Sequence, residues 1–218
     1  MRFLVTAGPT REPIDPVRYL SNRSSGKMGY AIAEAAIDAG HEVILISGPV
    51  EVDPPRGAEL VSVSTSDQMF DAVHEHLHGC DVLVMCAAVA DYKPKRVSET
   101  KIKKRDATLS LELVPTRDIL ASLPKQDRQY VVVGFAAETE NVEANARKKL
   151  QEKNCDVVVA NDVSRADSGM ESDQNEVTIL FRDGEIKTKS RAPKRIVARE
   201  LIKIFENVCE KRLTKKIA

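Results

Sequence analysis

Three short stretches hold residue types at spacings that could do chemistry. His74, Glu75 and His78 in "HEHLH" match the H-E-x-x-H spacing. There, two imidazoles one helical turn apart grip zinc and the carboxylate acts as base. A catalytic zinc needs a third protein ligand, and outside this stretch the only histidine is His41. The match also falls on a predicted connecting helix whose polar face should meet solvent, so it is read as coincidental. "SSGKMG" shares a Gly-Lys pair with phosphate-binding P-loops, but that pattern needs glycine where Ser21 stands and Ser or Thr where Met28 stands. The mechanics survive the mismatch. A Ser/Gly turn opening a helix offers free N–H groups and a positive dipole end to an anion. Equally, Gly26 and Gly29 could simply let the helix pack closely on a sheet, and the two readings are compatible. A nicotinamide-dependent oxidoreductase is the alternative from another class. It would want an acidic residue ending the second strand, where Ser47-Gly48-Pro49 stands and Glu51 follows too late. "YKPK" spaces Tyr92 and Lys95 three apart, which does not make a Tyr-x-x-x-Lys pair either.

The elements that must position these residues alternate along the chain. Val/Ile-rich runs at 2–7, 42–47, 59–64, 81–87, 130–136 and 156–160 read as strands buried on both faces. Amphipathic stretches at about 27–39, 66–78, 117–122 and 140–153 read as helices between them, the second with an N-cap signal in Ser66-Asp67. Alternation of this kind implies an α/β fold: a Rossmann-like, doubly wound, mostly parallel sheet built from right-handed crossovers. "EVTILFRDGEIKTKS" places Asp183-Gly184 between two alternating runs, a type I′ hairpin signal, and a helix over about 192–211 follows. Two segments break the rhythm. Between the first strand, ending at Gly8, and the glycines that open the helix lie seventeen residues, "PTREPIDPVRYLSNRSS", where a dinucleotide-binding turn spends two or three. Between the fourth strand and the helix at 117 runs a long basic excursion, "DYKPKRVSETKIKKRDATLSLELVPT". Its "ATLSLELV" alternates as a strand would. The remainder is either a solvated charged loop or a functional one.

Composition narrows the classes. The 218 residues suffice for one sizeable α/β domain or two small ones, and 33 basic residues balance 33 acidic ones, so nothing suggests nonspecific nucleic-acid binding. Tryptophan is absent and aromatics make up 4%, which argues against base-stacking surfaces for single strands. No apolar run is long enough to span a bilayer and the first strand starts immediately after Met1, so a membrane role is not expected. Cys80, Cys86, Cys155 and Cys209 lack C-x-x-C spacing and suit reduced thiols in a cytoplasmic protein.

Taken together, "TAGPTREPIDPVRYLSNRSSGKMG", "AAVADYKPK", "KIKK" and "GFAAET" closely resemble, in order and spacing, phosphopantothenoylcysteine synthetase, the ligase of coenzyme A biosynthesis. The resemblance covers nearly the whole chain, 1–218, as one synthetase domain with a flap and dimerisation segment at about 92–114. It implies joining of 4′-phosphopantothenate to L-cysteine through an acyl-nucleotide, with CTP favoured over ATP as co-substrate and Mg²⁺ as the metal. The flavin-binding decarboxylase half found fused to many bacterial members is not in this sequence, so no FMN is expected. A homodimer is implied.

The resemblance also assigns residues. Asn22 contacts the substrate carboxylate or acyl-nucleotide, where a neutral amide donates without locking the carboxylate in an ion pair. Arg18 reaches the phosphopantothenate phosphate of a neighbouring subunit, its fork suited to bidentate binding. The long insertion is therefore expected to be substrate-binding apparatus mounted on a nucleotide fold. The amides near Ala87 and Ala88 take a substrate role, and Asp91 meets the nucleotide or the pantothenate hydroxyl. Gly8, Ser24, Gly26 and Gly29 form the nucleotide-contacting turn, while Phe135 and Asn161 surround base and sugar. Lys101, opening "KIKK" on a mobile flap, covers the phosphates and excludes water from a hydrolysable intermediate. Lys149 and Lys153, like charges one helical turn apart, face an anion or else solvent. No metal ligands are assigned.

Overall fold

The Val/Ile-rich runs assemble into one eight-stranded sheet in the computed structural model, which describes residues 1–104, 108–162 and 172–217. In chain order the elements are β1 Arg2–Ala7, β2 Arg11–Pro13, β3 Tyr19–Ser21, α1 Lys27–Asp38, β4 Glu42–Ser47, β5 Glu59–Ser62, α2 Ser66–His76, β6 Val82–Met85, β7 Tyr92–Pro94, β8 Leu113–Pro115, α3 Ile119–Ser122, β9 Val131–Glu138, α4 Val142–Glu152, β10 Val157–Asp162, β11 Gln174–Phe181, β12 Ile186–Pro193 and α5 Lys194–Ile217. The sheet order is β12-β11-β10-β9-β6-β1-β4-β5, and the six strands from β10 to β5 are mutually parallel. From β1 the chain winds outward through β4 and β5, then returns to lay β6 on the other side of β1. The winding therefore reverses between β1 and β6, opening a crevice at their carboxyl ends where such sheets hold ligands.

Both faces of the parallel strands are covered, which is why the sequence shows no clean alternation there. Phe3, Val5, Val84, Val133 and Val159 face α1 and α5, and Leu4, Leu83, Val132 and Val158 face α2 and α4. At the amino ends of the strands Asp156 ties three elements together. It accepts from the Val132 amide at 2.8 Å and pairs with Arg128 at 2.5 Å, Arg212 at 3.1 Å and Arg182 at 3.5 Å.

The structure departs from the sequence reading in four places. The α2 cap is Thr65, not Ser66-Asp67: its hydroxyl accepts from the Gln68 amide while the Gln68 side chain reaches back, a capping box. The β11–β12 turn is not type I′, because only Gly184, at φ +94°, is left-handed and Asp183 is not. Gly184 N–H donates to the Phe181 carbonyl and Phe181 N–H to the Glu185 carbonyl, giving a type I turn with a glycine bulge. The Asp183 carboxylate favours that form by accepting from the amide two residues on. "ATLSLELV" does not form one long strand among its described residues: only Leu113–Pro115 pairs, with β7. Finally, the strand read at 81–87 stops at Met85, where the chain turns to donate from Ala88 N–H to the Gly8 carbonyl.

Candidate active site

The seventeen-residue insertion folds back on itself as the small antiparallel pair β2–β3 and delivers Asn22 to the mouth of the β1/β6 crevice. A cavity of about 350 Å³ lies there, lined by Asn22, Ser24, Gly26 and Gly29 from the insertion and α1, by Ala87, Ala88 and Asp91 after β6, and by Phe135, Lys149 and Asn161. A second cavity of about 450 Å³ adjoins it, sharing Ala87, Asp91, Phe135 and Lys149 and adding Lys153 and the 115–120 segment. Ten of the residues singled out from sequence and resemblance thus meet in one cleft, and Lys153 meets them in its extension.

Gly26 opens α1 at φ +75°, in the left-handed region, with no side-chain cap on the helix. A Cβ there would lie 2.6 Å from Val50 Cγ1. Gly29 sits one turn later against β1, where a Cβ would come within 2.6 Å of Ala7 Cβ and 3.2 Å of the Thr6 carbonyl oxygen. The close-packing reading of these glycines is met, and the seat aims the N-terminus of α1, which has no side-chain cap, into the cleft. The Ser24 hydroxyl accepts from the Gly26 amide at 3.4 Å. Gly8 belongs behind this wall. It does not line the cavity but lets β1 turn beneath Gly48 and Val50.

Asn22 Nδ2 donates to the carbonyls of Ala88 (3.1 Å) and Val89 (3.3 Å), fastening the insertion to the loop after β6. Within the chain the amides of Ala87 and Ala88 themselves are engaged. Ala87 N–H donates to Thr6 Oγ1 at 3.2 Å and Ala88 N–H to the Gly8 carbonyl at 2.9 Å. What this pair presents to the cleft is its lining surface.

The two lysines of α4 do not face one anion in parallel. Lys149 Nζ reaches the Phe135 carbonyl on β9 at 2.5 Å, and burial lowers its pKa. Lys153 pairs with Asp118, which raises its pKa. With different partners, the two lysines present cations at two depths, and the Lys153 charge still contributes to lowering the Lys149 pKa. Arg18 and Lys101 line neither cavity. Arg18 pairs with Asp15 at 2.5 Å and donates to the carbonyl of Ile102, the residue after Lys101. In "HEHLH", His78 lies beyond the end of α2, while His74 stacks on Phe70 and hydrogen-bonds the Phe70 carbonyl and Ser122. Among the described residues no group of three or more His, Cys, Asp or Glu is arranged to hold a metal ion.

Several lining residues were not singled out from sequence. Lys27, dismissed with the P-loop, lines the cavity and pairs with Asp173 at 2.6 Å. Lys194, only 6% exposed, and Asn175, 4% exposed, reach it from the C-terminal hairpin and the start of α5. Burial and the Lys27 charge lower the Lys194 pKa. The irregularity between Asn175 and Val177 interrupts the ladder beside the cleft, as bulges near sites do. Thr116, Arg117 and Asp118 line the second cavity. A signal existed only for Lys27, in the turn itself; the others have no local motif, because the returning hairpin and the excursion bring them in. The arrangement of lysines at several depths, an open helix N-terminus and one carboxylate, Asp91, common to both cavities suits a polyphosphate beside a carboxylate substrate. It does not suit a dinucleotide: β4 ends at Ser47, whose hydroxyl meets Tyr30 and the Gly48 carbonyl instead of a ribose-binding carboxylate. A larger cavity, about 660 Å³, lies at the opposite end of the sheet around Asp156 and Arg212 and contains none of these residues.

Residues 1–208 match the model of the DNA/pantothenate metabolism flavoprotein C-terminal domain. The coenzyme A biosynthesis bifunctional protein CoaBC of Bacillus subtilis is 51% identical over 182 residues, 83% of this chain and 45% of that protein. Its Escherichia coli K12 counterpart is 46% identical over 85% of this chain and 47% of that protein. The chain therefore spans a little under half the length of these curated relatives. Among solved structures, the C-terminal domain of a CoaBC protein superposes with a TM-score of 0.83 at 45% identity, covering 96% of each chain. A Cab2 mutant in complex with phosphopantothenate-cysteine shares the fold at 17% identity, with a TM-score of 0.82 over 100% of this chain and 89% of that one.

Proposed function

Because this chain belongs to the family of DNA/pantothenate metabolism flavoprotein C-terminal domains, we propose that it is a phosphopantothenate–cysteine ligase acting in coenzyme A biosynthesis. The observation that carries the reading is the cleft at the β1/β6 reversal, where Asn22, Asp91, Lys149 and the N-terminus of α1 converge. In the first step the phosphopantothenate carboxylate attacks the α-phosphorus of CTP and pyrophosphate leaves. Negative charges must be brought together there, and Lys27, Lys149, Lys153, Lys194 and the α1 amides supply the offsetting field. In the second step the cysteine amine attacks the acyl carbon and CMP leaves. Phe135 and Asn161 flank the base and sugar, and Ala87 and Ala88 wall the pantothenate. Asp91 would be the residue to hold a Mg²⁺, which would supply charge neutralisation at the phosphates, since this ion usually takes only one or two carboxylates from the protein.

Arg18 and Lys101 lie outside their own chain's cleft, which supports a site completed by a second subunit. Exposed Val17, Tyr19, Tyr92, Val97, Leu109, Leu111 and Leu113 give the insertion and excursion an apolar surface suited to a two-fold homodimer. The flap and dimerisation segment at about 92–114 is read on the same basis; its residues 105–107 lie outside the described ones. The whole of 1–218 is read as one synthetase domain, cytoplasmic, needing no FMN of its own. Among the described residues no helix is long and apolar enough to cross a membrane.

The test is pyrophosphate release with each of the four nucleoside triphosphates, with and without phosphopantothenate. Release with CTP that requires phosphopantothenate is expected, and amide should form only when cysteine is added. NAD(P)H oxidation in place of nucleotide-dependent product would support the oxidoreductase alternative. Mixing inactive Arg18→Ala and Asn22→Ala subunits tests the shared site: restored activity is expected, and none after verified exchange would place Arg18 in its own subunit's site.

A further inference from the structure

Five donor contacts converge on one carboxylate in the turn between β2 and β3. Asp15, 3% exposed, accepts through Oδ1 from the amides of Val17 and Arg18, both at 2.9 Å. Its Oδ2 accepts from Arg18 Nε at 3.1 Å and Nη2 at 2.5 Å, and from the Ile102 amide at 3.1 Å. Arg18 Nη2 then donates onward to the Ile102 carbonyl at 2.8 Å, and the Ser98 amide donates to the Ile14 carbonyl at 3.0 Å. Both backbone polar groups of the residue following Lys101 are thus held by the Asp15–Arg18 pair, across some eighty residues of chain.

Residue chemistry explains why an aspartate stands there. Its short side chain closes a local turn on the amides two and three residues ahead while keeping a second oxygen for the guanidinium and the distant amide. A glutamate would be too long for the local turn, and an asparagine would aim an NH₂ at donors. The Arg18 guanidinium holds the Asp15 carboxyl well below the usual carboxylate range, so it stays charged through neutral pH. Neither the turn nor the 98–102 segment contributes to the two apolar cores. The junction therefore ties two loops together through polar contacts rather than through core packing.

We propose that Asp15 is a positioning residue that fixes Arg18 and Lys101 as one rigid unit, so that the cation for the phosphopantothenate phosphate and the cation for the nucleotide arrive together. This rests on the ligase reading and deepens it. One carboxylate sets the geometry for both substrates of the first step, so losing it weakens the handling of each.

A double-mutant cycle on the full chain tests this. Asp15→Asn should lower kcat/KM for phosphopantothenate and for CTP by about 10²-fold, the scale of an ångström-sized misplacement of a substrate-positioning group. In a Lys101→Gln background, with phosphopantothenate saturating, the same change should cost acyl-nucleotide formation less than about threefold, because the nucleotide-facing cation it positions is gone. In an Arg18→Ala background its effect on the phosphopantothenate KM should likewise vanish. A merely structural role would instead give undiminished losses in both backgrounds, and that result overturns the proposal. Hydrogen exchange reads the same junction without activity: the Ile102 amide should exchange at least about tenfold faster in Asp15→Asn, as a released local contact does. Unchanged exchange would also overturn it. Faster exchange in a protein whose wild type makes no nucleotide-dependent product would keep the Asp15 junction and overturn the ligase reading alone.

Discussion

Gly29→Ala sets two effects of opposite sign against each other, and the structure decides between them. Alanine in place of glycine within a helix gains up to about 1 kcal/mol of intrinsic propensity. The new methyl, however, would stand 2.6 Å from Ala7 Cβ, 3.1 Å from Ala7 Cα and 3.2 Å from the Thr6 carbonyl oxygen. None of these is the end of a flexible side chain, so α1 must lift from β1 by roughly an ångström to restore van der Waals contact. Overpacking of this kind costs about 3 kcal/mol at the upper end of its usual range. The net expectation is a loss of about 2 kcal/mol, or about 4–8 °C in Tm for a chain of this size. Lifting α1 also moves its N-terminus within the cleft, so kcat/KM for CTP should fall by at least about tenfold. Thermal unfolding followed by circular dichroism, with steady-state kinetics on the same preparation, reads both. A variant as stable as the wild type, or more so, would show that propensity wins and that α1 is not seated this tightly.

Three further outcomes follow from other parts of the molecule. Asp156→Ala leaves Arg128, with its side chain 3% exposed, without its carboxylate, and should lower stability by about 3–5 kcal/mol; a urea midpoint change worth under about 1 kcal/mol would show that the pair is not buried in this sense. Hydrogen bonds from Lys93 and Arg117 hold the Asp67 carboxyl below its usual range. A depressed folded pKa gives stability that is present above the unfolded value of about 3.9 and is lost as pH falls through the folded one. The stability gap between wild type and Asp67→Asn should therefore shrink from pH 7 to pH 3, and a constant gap would contradict the assignment. Cys86 lines the cavity, yet burial pushes its thiol up to about 12. Iodoacetamide at pH 7.5 should label it far more slowly in the native than in the urea-unfolded protein, and equal rates would show an open thiol.

Legibility from sequence followed the range of the interactions. The parallel strands were readable because burial on both faces writes itself locally as runs such as "VVV" in β9 and β10. Gly29 was readable because a close helix–strand seat admits no Cβ there, and Gly26 because its left-handed backbone against Val50 favours glycine. The turn at Asp183-Gly184 was half readable: the dipeptide marked a hairpin, while the turn type depended on which way the Asp183 carboxylate bonded. Lys194 and Asn175 carried no local mark. Each becomes a cleft residue only because the antiparallel hairpin β11–β12 brings the chain back to β10 and sets α5 beside α1. Asp15 was equally silent, since its most informative partner is the amide of Ile102. The resemblance supplied Asn22, Asp91 and Phe135, and the structure brings those three together at one cavity. It also supplied Ala87 and Ala88, which line the same cavity while their own amides bond within the chain.

The central claim is that a carboxylate attacks the α-phosphorus of CTP and that an amine later displaces the nucleotide. Phosphopantothenate labelled with oxygen-18 in its carboxylate tests this directly, in a complete reaction with CTP, Mg²⁺ and L-cysteine. The attacking oxygen becomes the bridge of the acyl-nucleotide and departs with the nucleotide when the C–N bond forms. Mass spectrometry should therefore find one labelled oxygen in the CMP released per amide formed, and none in the pyrophosphate. Label in inorganic phosphate would mean activation through a terminal phosphoryl group. Unlabelled CMP, or no nucleotide-dependent amide, would mean that this cleft does not run the proposed reaction.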